Sequence, residues 1–316
     1  MSKIYFLNVG NGDSSIIQHY SGRLTMIDIN NGKSLKDSIQ LSETVTASTR
    51  GNFGEKKHPI NPIDFLKKYY KDEAIFRFFL THPDMDHLKG IKALKECIGI
   101  DNFWGYKTKK TDEKISDTDK KDWDCYKELL KKAHSLQDDV KKSFIIEDGL
   151  KILSPTKDLI QKADIIGDWN DCSGVILYKT GNFKILFCGD SDDKTWEHLI
   201  KKHKNDISNI DLFIAPHHGR DSGRGFSFLE IVNPGITMIG NAPSACINYN
   251  KYRDSSRVDM FTNNQGGNFM FEIDNDKITI SCSHKPFAEK YREGKNLGEP
   301  VERNGFFILC EYPSQS

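Results

Sequence analysis

Short apolar runs separated by turns rich in Gly, Asn and Asp dominate the chain, a rhythm that predicts many strands and few long helices. The segments 3–9 and 14–18 read as two strands joined by Gly10-Asn11-Gly12-Asp13, and 24–29 as a third, so an N-terminal meander is expected. Residues 63–70 pattern as a short amphipathic helix, 75–80 as a strand and 88–97 as a helix. In the second half, strands are expected at 143–147, 150–154, 173–179, 183–188, 212–215, 237–239, 268–273, 277–283 and 306–311, with helices at 192–203 and 225–232. Two stretches break the rhythm: 31–62 is polar and nearly without periodicity, and 107–142 is charge-dense with a helix expected over 123–133. No repeat and no linker stands out, so 1–316 reads as a single domain of two packed sheets with a polar insertion at 31–62 and a charged helical insertion at 107–142.

Charge and cysteine content narrow the partners. With 45 basic and 45 acidic residues the formal net charge is zero, so no overall field draws the chain to nucleic acid or an anionic membrane. No run approaches the roughly 18 apolar residues of a membrane span, and the apolar stretch at the N-terminus is short for a signal peptide. The seven cysteines are dispersed singly, which favours reduced thiols; a cytoplasmic protein is expected.

The densest chemistry is Thr81-His82-Pro83-Asp84-Met85-Asp86-His87, placed directly after the apolar run 76–80. Imidazole and carboxylate bind divalent metals, and a strand that ends in such a loop can aim several of them at one point. The run 183–188 ends in Gly189-Asp190, and 212–215 ends in Pro216-His217-His218-Gly219. Each of these turns alone is an ordinary strand end; together they supply complementary metal ligands in matching context. Asn170-Asp171-Cys172-Ser173, before another strand, could add a weak ligand or a water-holding group. The remaining histidines, at 19, 58, 134, 198, 203 and 284, have no ligand-like spacing, and Trp169 reads as packing that could stack on a base.

These motifs, in this order, resemble a metallo-β-lactamase-fold hydrolase, and within that group the hydrolase domain of ComEC-type competence (DNA-uptake) proteins. His82, Asp84, Asp86 and His87 match the first motif, with Asp at its second histidine; Gly10-Asn11-Gly12-Asp13, Ile27-Asp28, Gly189-Asp190 and Pro216-His217-His218-Gly219 match the others. The resemblance implies an α/β (α+β) four-layer αββα sandwich. It implies that His82, Asp84 and one histidine of the 217–218 pair, His217 in preference to His218, hold one divalent ion, Asp86 and His87 a second, and Asp190 bridges them. Asp86, His218, Asp171 and Arg253 are the candidate catalytic groups. Two ions, Zn²⁺ or Mn²⁺ with Mg²⁺ as a further candidate, suit a site in which carboxylate replaces an imidazole. The chain departs from the pattern where Arg253-Asp254-Ser255 stands in place of Gly-His-Pro.

The expected activity is therefore that of a metal-dependent phosphodiesterase or nuclease acting on nucleic acid or a nucleotide through a metal-activated water. Arg220, Arg224, Lys251, Arg253 and Arg257 are arginines and lysines that could hold phosphate. Alternatives are an acyl-type metallohydrolase (lactonase, thioesterase or amidase) and a non-catalytic subunit that binds a nucleotide or a partner. No membrane role and no oligonucleotide-binding module is expected.

Overall fold

The computed structural model describes residues 1–31, 52–71, 73–113, 115–138, 140 and 142–313. Most of the polar insertion expected at 31–62 lies outside the described residues. The strands are β1 (Ser2–Phe6), β2 (Ser15–Gln18), β3 (Leu24–Ile27), β4 (Ile75–Phe79), β5 (Ile100–Gly105), β6 (His134–Ser135), β7 (Leu150–Ser154), β8 (Val175–Thr180), β9 (Phe183–Phe187), β10 (Leu212–Ile214), β11 (Ile236–Ile239), β12 (Asp259–Thr262), β13 (Phe269–Ile273), β14 (Lys277–Cys282), β15 (Glu302–Arg303) and β16 (Phe306–Pro313). They form two sheets. One runs β15-β16-β14-β13-β1-β2-β3-β4-β5-β6, and the other β12-β11-β10-β9-β8-β7.

Alternation along the strands explains the layering, because successive side chains of a strand face opposite sides of its sheet. Ile4 and Phe6 of β1 meet Ile176 and Tyr178 of β8 and Phe183, Ile185 and Phe187 of β9 in the core between the sheets. Tyr5, Met26, Ile75 and Phe78 face the other way, against Ile63, Phe65 and Leu66 of the helix Pro62–Tyr70 and against the helices Ile91–Cys97 and Lys120–Leu130. Val175, Leu177 and Leu186 face outward onto the helices Asp193–Ile207, Phe228–Val232 and Tyr249–Ser255. Strands apolar on both faces and helices on both outer sides make an αββα sandwich, as expected.

Several elements differ from the pattern-based reading. Residues Ser143–Glu147 form a helix, not a strand: with Ile145 buried and Ile146 turned to solvent, the short apolar run satisfies one helical turn as well as a strand. The expected helix at 88–97 is two pieces, Met85–Leu88 and Ile91–Cys97, divided where Gly90 takes a φ of 102°. The helix Lys157–Ile166, capped by the Thr156 side chain, and the helix Lys285–Gly294 were not read from the sequence. Among the described residues no helix is long and apolar enough to cross a membrane.

Parallel pairing sets the site. β3 lies parallel to β4 in one sheet, and β9 parallel to β10 in the other, so the loops leaving their C-terminal ends gather at one rim of the sandwich. The turn between β1 and β2 closes over the same rim, where Asn11 bridges to Asn241 and the Asn241 side chain donates to Asn8 at 2.5 Å. Gly12 permits this closure: its φ is 133°, and a Cβ there would stand 2.2 Å from the carbonyl oxygen of Asp86.

Candidate metal centre

Each strand end contributes a side chain with a defined orientation. After β3, Asp28 adopts a left-handed φ of 57° and is buried. Its Oδ1 accepts from the Thr81 amide at 2.8 Å; its Oδ2 accepts from the Thr81 hydroxyl at 2.6 Å and from His87 Nδ1 at 2.8 Å. Asp13, from the β1–β2 turn, accepts from His218 Nδ1 at 3.0 Å. The Thr81 hydroxyl, its hydrogen committed to Asp28, accepts from His82 Nδ1 at 3.2 Å. All three histidines thus use Nδ1–H outward and turn Nε2 toward Asp190, His87 and His218 to one of its oxygens and His82 to the other, the arrangement that orients ligating imidazoles.

Around that point the atoms are close. His87 Nε2 lies 3.1 Å from Asp190 Oδ1, and His218 Nε2 lies 3.9 Å from the same oxygen and 3.6 Å from Asp86 Oδ2. Asp86 Oδ2 is 4.0 Å from His87 Nε2. The other oxygen of Asp190 faces His82 Nε2 at 3.9 Å and His217 Nε2 at 3.5 Å, and His82 Nε2 is 3.9 Å from Asp84 Oδ1. Divalent ions bond such donors at about 2.0–2.2 Å, which spaces adjacent ligand atoms roughly 3–4 Å apart. His82 Nε2, His87 Nε2, His218 Nε2 and Asp190 Oδ1 are all buried and complete no hydrogen bond. Orphaned polar atoms of this kind are costly unless a cation satisfies them.

The electrostatics point the same way. Burial opposes charge on His218, yet Asp13 and Asp190 outweigh it and raise its pKa to about 10. His87 is likewise driven up against its burial by Asp190, Asp28 and Asp86. Burial would raise Asp190 and Asp86, but the facing histidines hold both below the usual carboxylate range. A pocket lined by Asp13, Asp28, Asp86 and Asp190 calls for positive charge at its centre. Of the described residues, Asp86, His87, Asp190 and His218 form the compact group at the centre, and their donor chemistry fits a divalent metal.

The His217-His218 turn is strained. Both residues sit in the left-handed region, at φ 51° and 55°, ahead of Gly219 at 79°. This conformation costs about 1–2 kcal/mol for each residue with a Cβ and lets neighbouring histidines face the centre from different sides. His217 has its own surroundings. Arg224, buried and anchored on the Ser191 carbonyl at 2.7 Å, donates Nη2 to His217 Nδ1 at 3.1 Å; Arg220 Nη1 stands 3.3 Å from His217 Nε2, and the Ser222 hydroxyl 3.0 Å from Nδ1. Burial lowers the His217 pKa to about 4, and His218 and the two arginines act in the same direction against Asp190. At the mouth, Lys110 pairs with Asp84, its ammonium 4.9 Å from the centre of the Trp169 ring.

Support comes from behind. The Tyr106 hydroxyl lies between the carbonyls of Thr81, at 3.0 Å, and Cys172, at 2.7 Å, and the Asp190 amide donates to the Ser173 hydroxyl at 3.2 Å. Gly189, at φ 50°, packs where a Cβ would meet Thr81 Cβ at 2.8 Å.

Of the residues expected from sequence, His82, Asp84, Asp86, His87, Asp190, His217 and His218 are gathered at one rim. Asp171 and Arg253 have other neighbours. The Asp171 carboxylate accepts from the Lys194 amide at 3.3 Å, at the start of the helix Asp193–Ile207. Arg253, exposed on its helix, donates to Asn250 at 2.8 Å and pairs with Asp254 at 3.5 Å. Cys172 is buried, and burial pushes its thiol up to about 12, which leaves it inert. Asp13 and Asp28 were visible in the sequence only as parts of matching turns, and Lys110 as one lysine in a charged stretch. A second grouping also went unread: Asp138 Oδ1 lies 3.0 Å from His203 Nε2, and its Oδ2 lies 3.2 Å from His198 Nε2 and 2.8 Å from Lys202 Nζ.

No protein-family description and no curated protein matches the chain. Solved structures do show a likeness. The metallo-beta-lactamase fold protein YhfI from Bacillus subtilis aligns over 86% of this chain and 100% of its own, at 12% identity and a TM-score of 0.49. Igni18, a metallo hydrolase from the archaeon Ignicoccus hospitalis, aligns over 86% and 100% at 12% identity and 0.47. A diphosphatase of the PhnP family aligns over 87% and 98% at 12% identity and 0.42.

Proposed function

We propose that this chain is a divalent-metal-dependent hydrolase of the metallo-β-lactamase type whose substrate is a phosphodiester in a nucleotide or nucleic acid. The observation that carries the reading is the set of buried, hydrogen-bond-free atoms of His87, His218 and Asp190 gathered with Asp86 about one point, with a carboxylate behind each histidine and the orphaned Nε2 of His82 facing the second oxygen of Asp190. Asp86, His87, Asp190 and His218 would hold the ion, and His82 with the second oxygen of Asp190 flanks it. A bound divalent ion supplies a water acidified toward neutral pH and polarisation of the bond under attack.

The protein's own groups shape the rest. Asp28 and Asp13 hold the Nδ1–H of His87 and His218, so both Nε2 atoms are oriented toward the centre before any ion arrives. Asp86, more exposed than the other ligands, would accept the proton of the attacking water. Arg220 and Lys110 bring cationic donors to the mouth, which favours an anionic phosphodiester over a neutral acyl group. The order of the motifs, similar to that of ComEC-type hydrolase domains, supports a nucleic-acid or nucleotide substrate.

The test is hydrolysis of bis(p-nitrophenyl) phosphate and of p-nitrophenyl acetate by the full chain with Mn²⁺, Mg²⁺ or Zn²⁺, beside an Asp86→Ala/His87→Ala variant. Metal-dependent cleavage of the phosphodiester that vanishes in the variant is expected. Cleavage of the acetate alone would assign an acyl hydrolase, and cleavage of neither would remove the catalytic reading.

A further inference from the structure

The two oxygens of Asp190 face unequal surroundings. Oδ1 looks into a compact group with Asp86, His87 and His218 whose ligand atoms lie within one cation's reach. On the Oδ2 side stand His82, Asp84 and His217, and two of these three donors are already engaged by cationic side chains. Asp84 is paired with Lys110, whose side chain is 16% exposed and rests by the Trp169 ring. A neutral imidazole has a single lone pair, and His217 has a guanidinium at each nitrogen: Arg224 Nη2 at Nδ1, 3.1 Å away, and Arg220 Nη1 at Nε2, 3.3 Å away. Whichever nitrogen carries the lone pair, an arginine N–H already points at it. Arg224 is not free to swing aside, since it is buried and donates to the Ser191 carbonyl.

We propose that the centre binds one divalent ion tightly, at Asp86, His87, Asp190 and His218, and that the protein's own cations, Lys110 foremost, occupy the charge position a second ion would take. A second dication would have to displace an ammonium from Asp84 and sit beside two guanidinium groups, with only His82 and Asp190 Oδ2 as free donors. Lys110 then stands where it can meet an oxyanion of the substrate, doing by side-chain charge what a second ion does in a pair. This inference rests on the reading of the rim as a metal centre, but not on the identity of the substrate.

The experiment is a count of ions. Full-length protein stripped with chelator and dialysed is titrated with Mn²⁺ by calorimetry, and bound Mn²⁺ is examined by electron paramagnetic resonance, which separates a lone ion from a pair coupled at about 3.5–4 Å. The wild-type chain is expected to take one ion with any second at least about tenfold weaker, and to give the spectrum of an isolated ion. Lys110→Met is expected to take two ions and to show coupling. Lys110→Gln and the thermal transition of each variant guard against a folding defect; if neither variant folds, the wild-type count alone decides. Two ions of comparable affinity in the wild type, or a single ion in a folded Lys110 variant, would overturn the proposal while leaving the hydrolase reading intact. Binding of no ion would overturn both.

Discussion

Replacing Asp28 by Asn tests the centre where its geometry is most fully determined. The carboxylate is buried and accepts three hydrogen bonds, from the Thr81 amide, the Thr81 hydroxyl and His87 Nδ1, at 2.8, 2.6 and 2.8 Å. An amide can match only part of this set. With its oxygen at the Oδ2 position, its NH₂ faces the Thr81 N–H, donor against donor. Turned the other way, its NH₂ faces His87 Nδ1 and forces the imidazole to carry its hydrogen on Nε2, where the cation belongs. The first outcome leaves one or two buried donors unpaired, at about 1–3 kcal/mol each. The second removes a ligand's orienting partner, which lowers metal affinity by roughly 10–100-fold. Calorimetric titration with Mn²⁺ and denaturant unfolding of the stripped protein together read both effects. The expectation is a loss of about 2–4 kcal/mol in stability for the first orientation, or at least about tenfold in affinity for the second. A variant within about threefold of wild-type affinity and within 1 kcal/mol of its stability would refute the view that Asp28 sets the His87 tautomer.

Gly12→Ala would drive a Cβ into the Asp86 carbonyl at 2.2 Å from a φ of 133°, so a loss of more than about 3 kcal/mol in denaturant unfolding is expected; a loss below about 1 kcal/mol would mean the turn can move aside. Tyr106→Phe strips the hydroxyl between the Thr81 and Cys172 carbonyls and should lower stability by about 1–3 kcal/mol, which a thermal scan would check. Asp138→Asn should loosen the helix Asp193–Ile207 from its neighbouring loop by about 2–4 kcal/mol, with hydrolysis unaffected. Burial would raise the Asp138 pKa, but His198, His203 and Lys202 outweigh it and hold it below the usual range. Its contribution is therefore complete above the unfolded value of about 3.9 and falls away below it. The stability gap between wild type and variant should persist at pH 5 and should close only in stronger acid, as unfolding curves at stepped pH would report.

What the sequence made legible follows from distance along the chain. The His82–His87 cluster, Asp190 and the 217–218 pair each announce themselves at the end of an apolar run, because strand and ligand are adjacent in sequence. The orienting carboxylates do not: Asp28 is 59 residues from His87 and Asp13 is 205 from His218, so their roles exist only once the sheets have docked. Lys110 is hidden for the same reason, one lysine among many until the fold sets it against Asp84. Arg253 was singled out by its position relative to a motif, but the helix Tyr249–Ser255 gives it neighbours of its own. The five-residue run at Ser143–Glu147 is too short for periodicity to separate helix from strand, and only burial of Ile145 beside exposed Ile146 decides it.

The centre draws its donors from both leaves of the sandwich: His82, Asp86 and His87 hang from one sheet, Asp190 and His218 from the other. Neither half can retain an ion until the chain between them has threaded and the leaves have closed face to face. An ion added during refolding would therefore act as a clock for that closure, its spectrum changing only when the loops after β4, β9 and β10 have been brought together. Because the bound ion stabilises only the closed form, it would also slow the leaves from parting again.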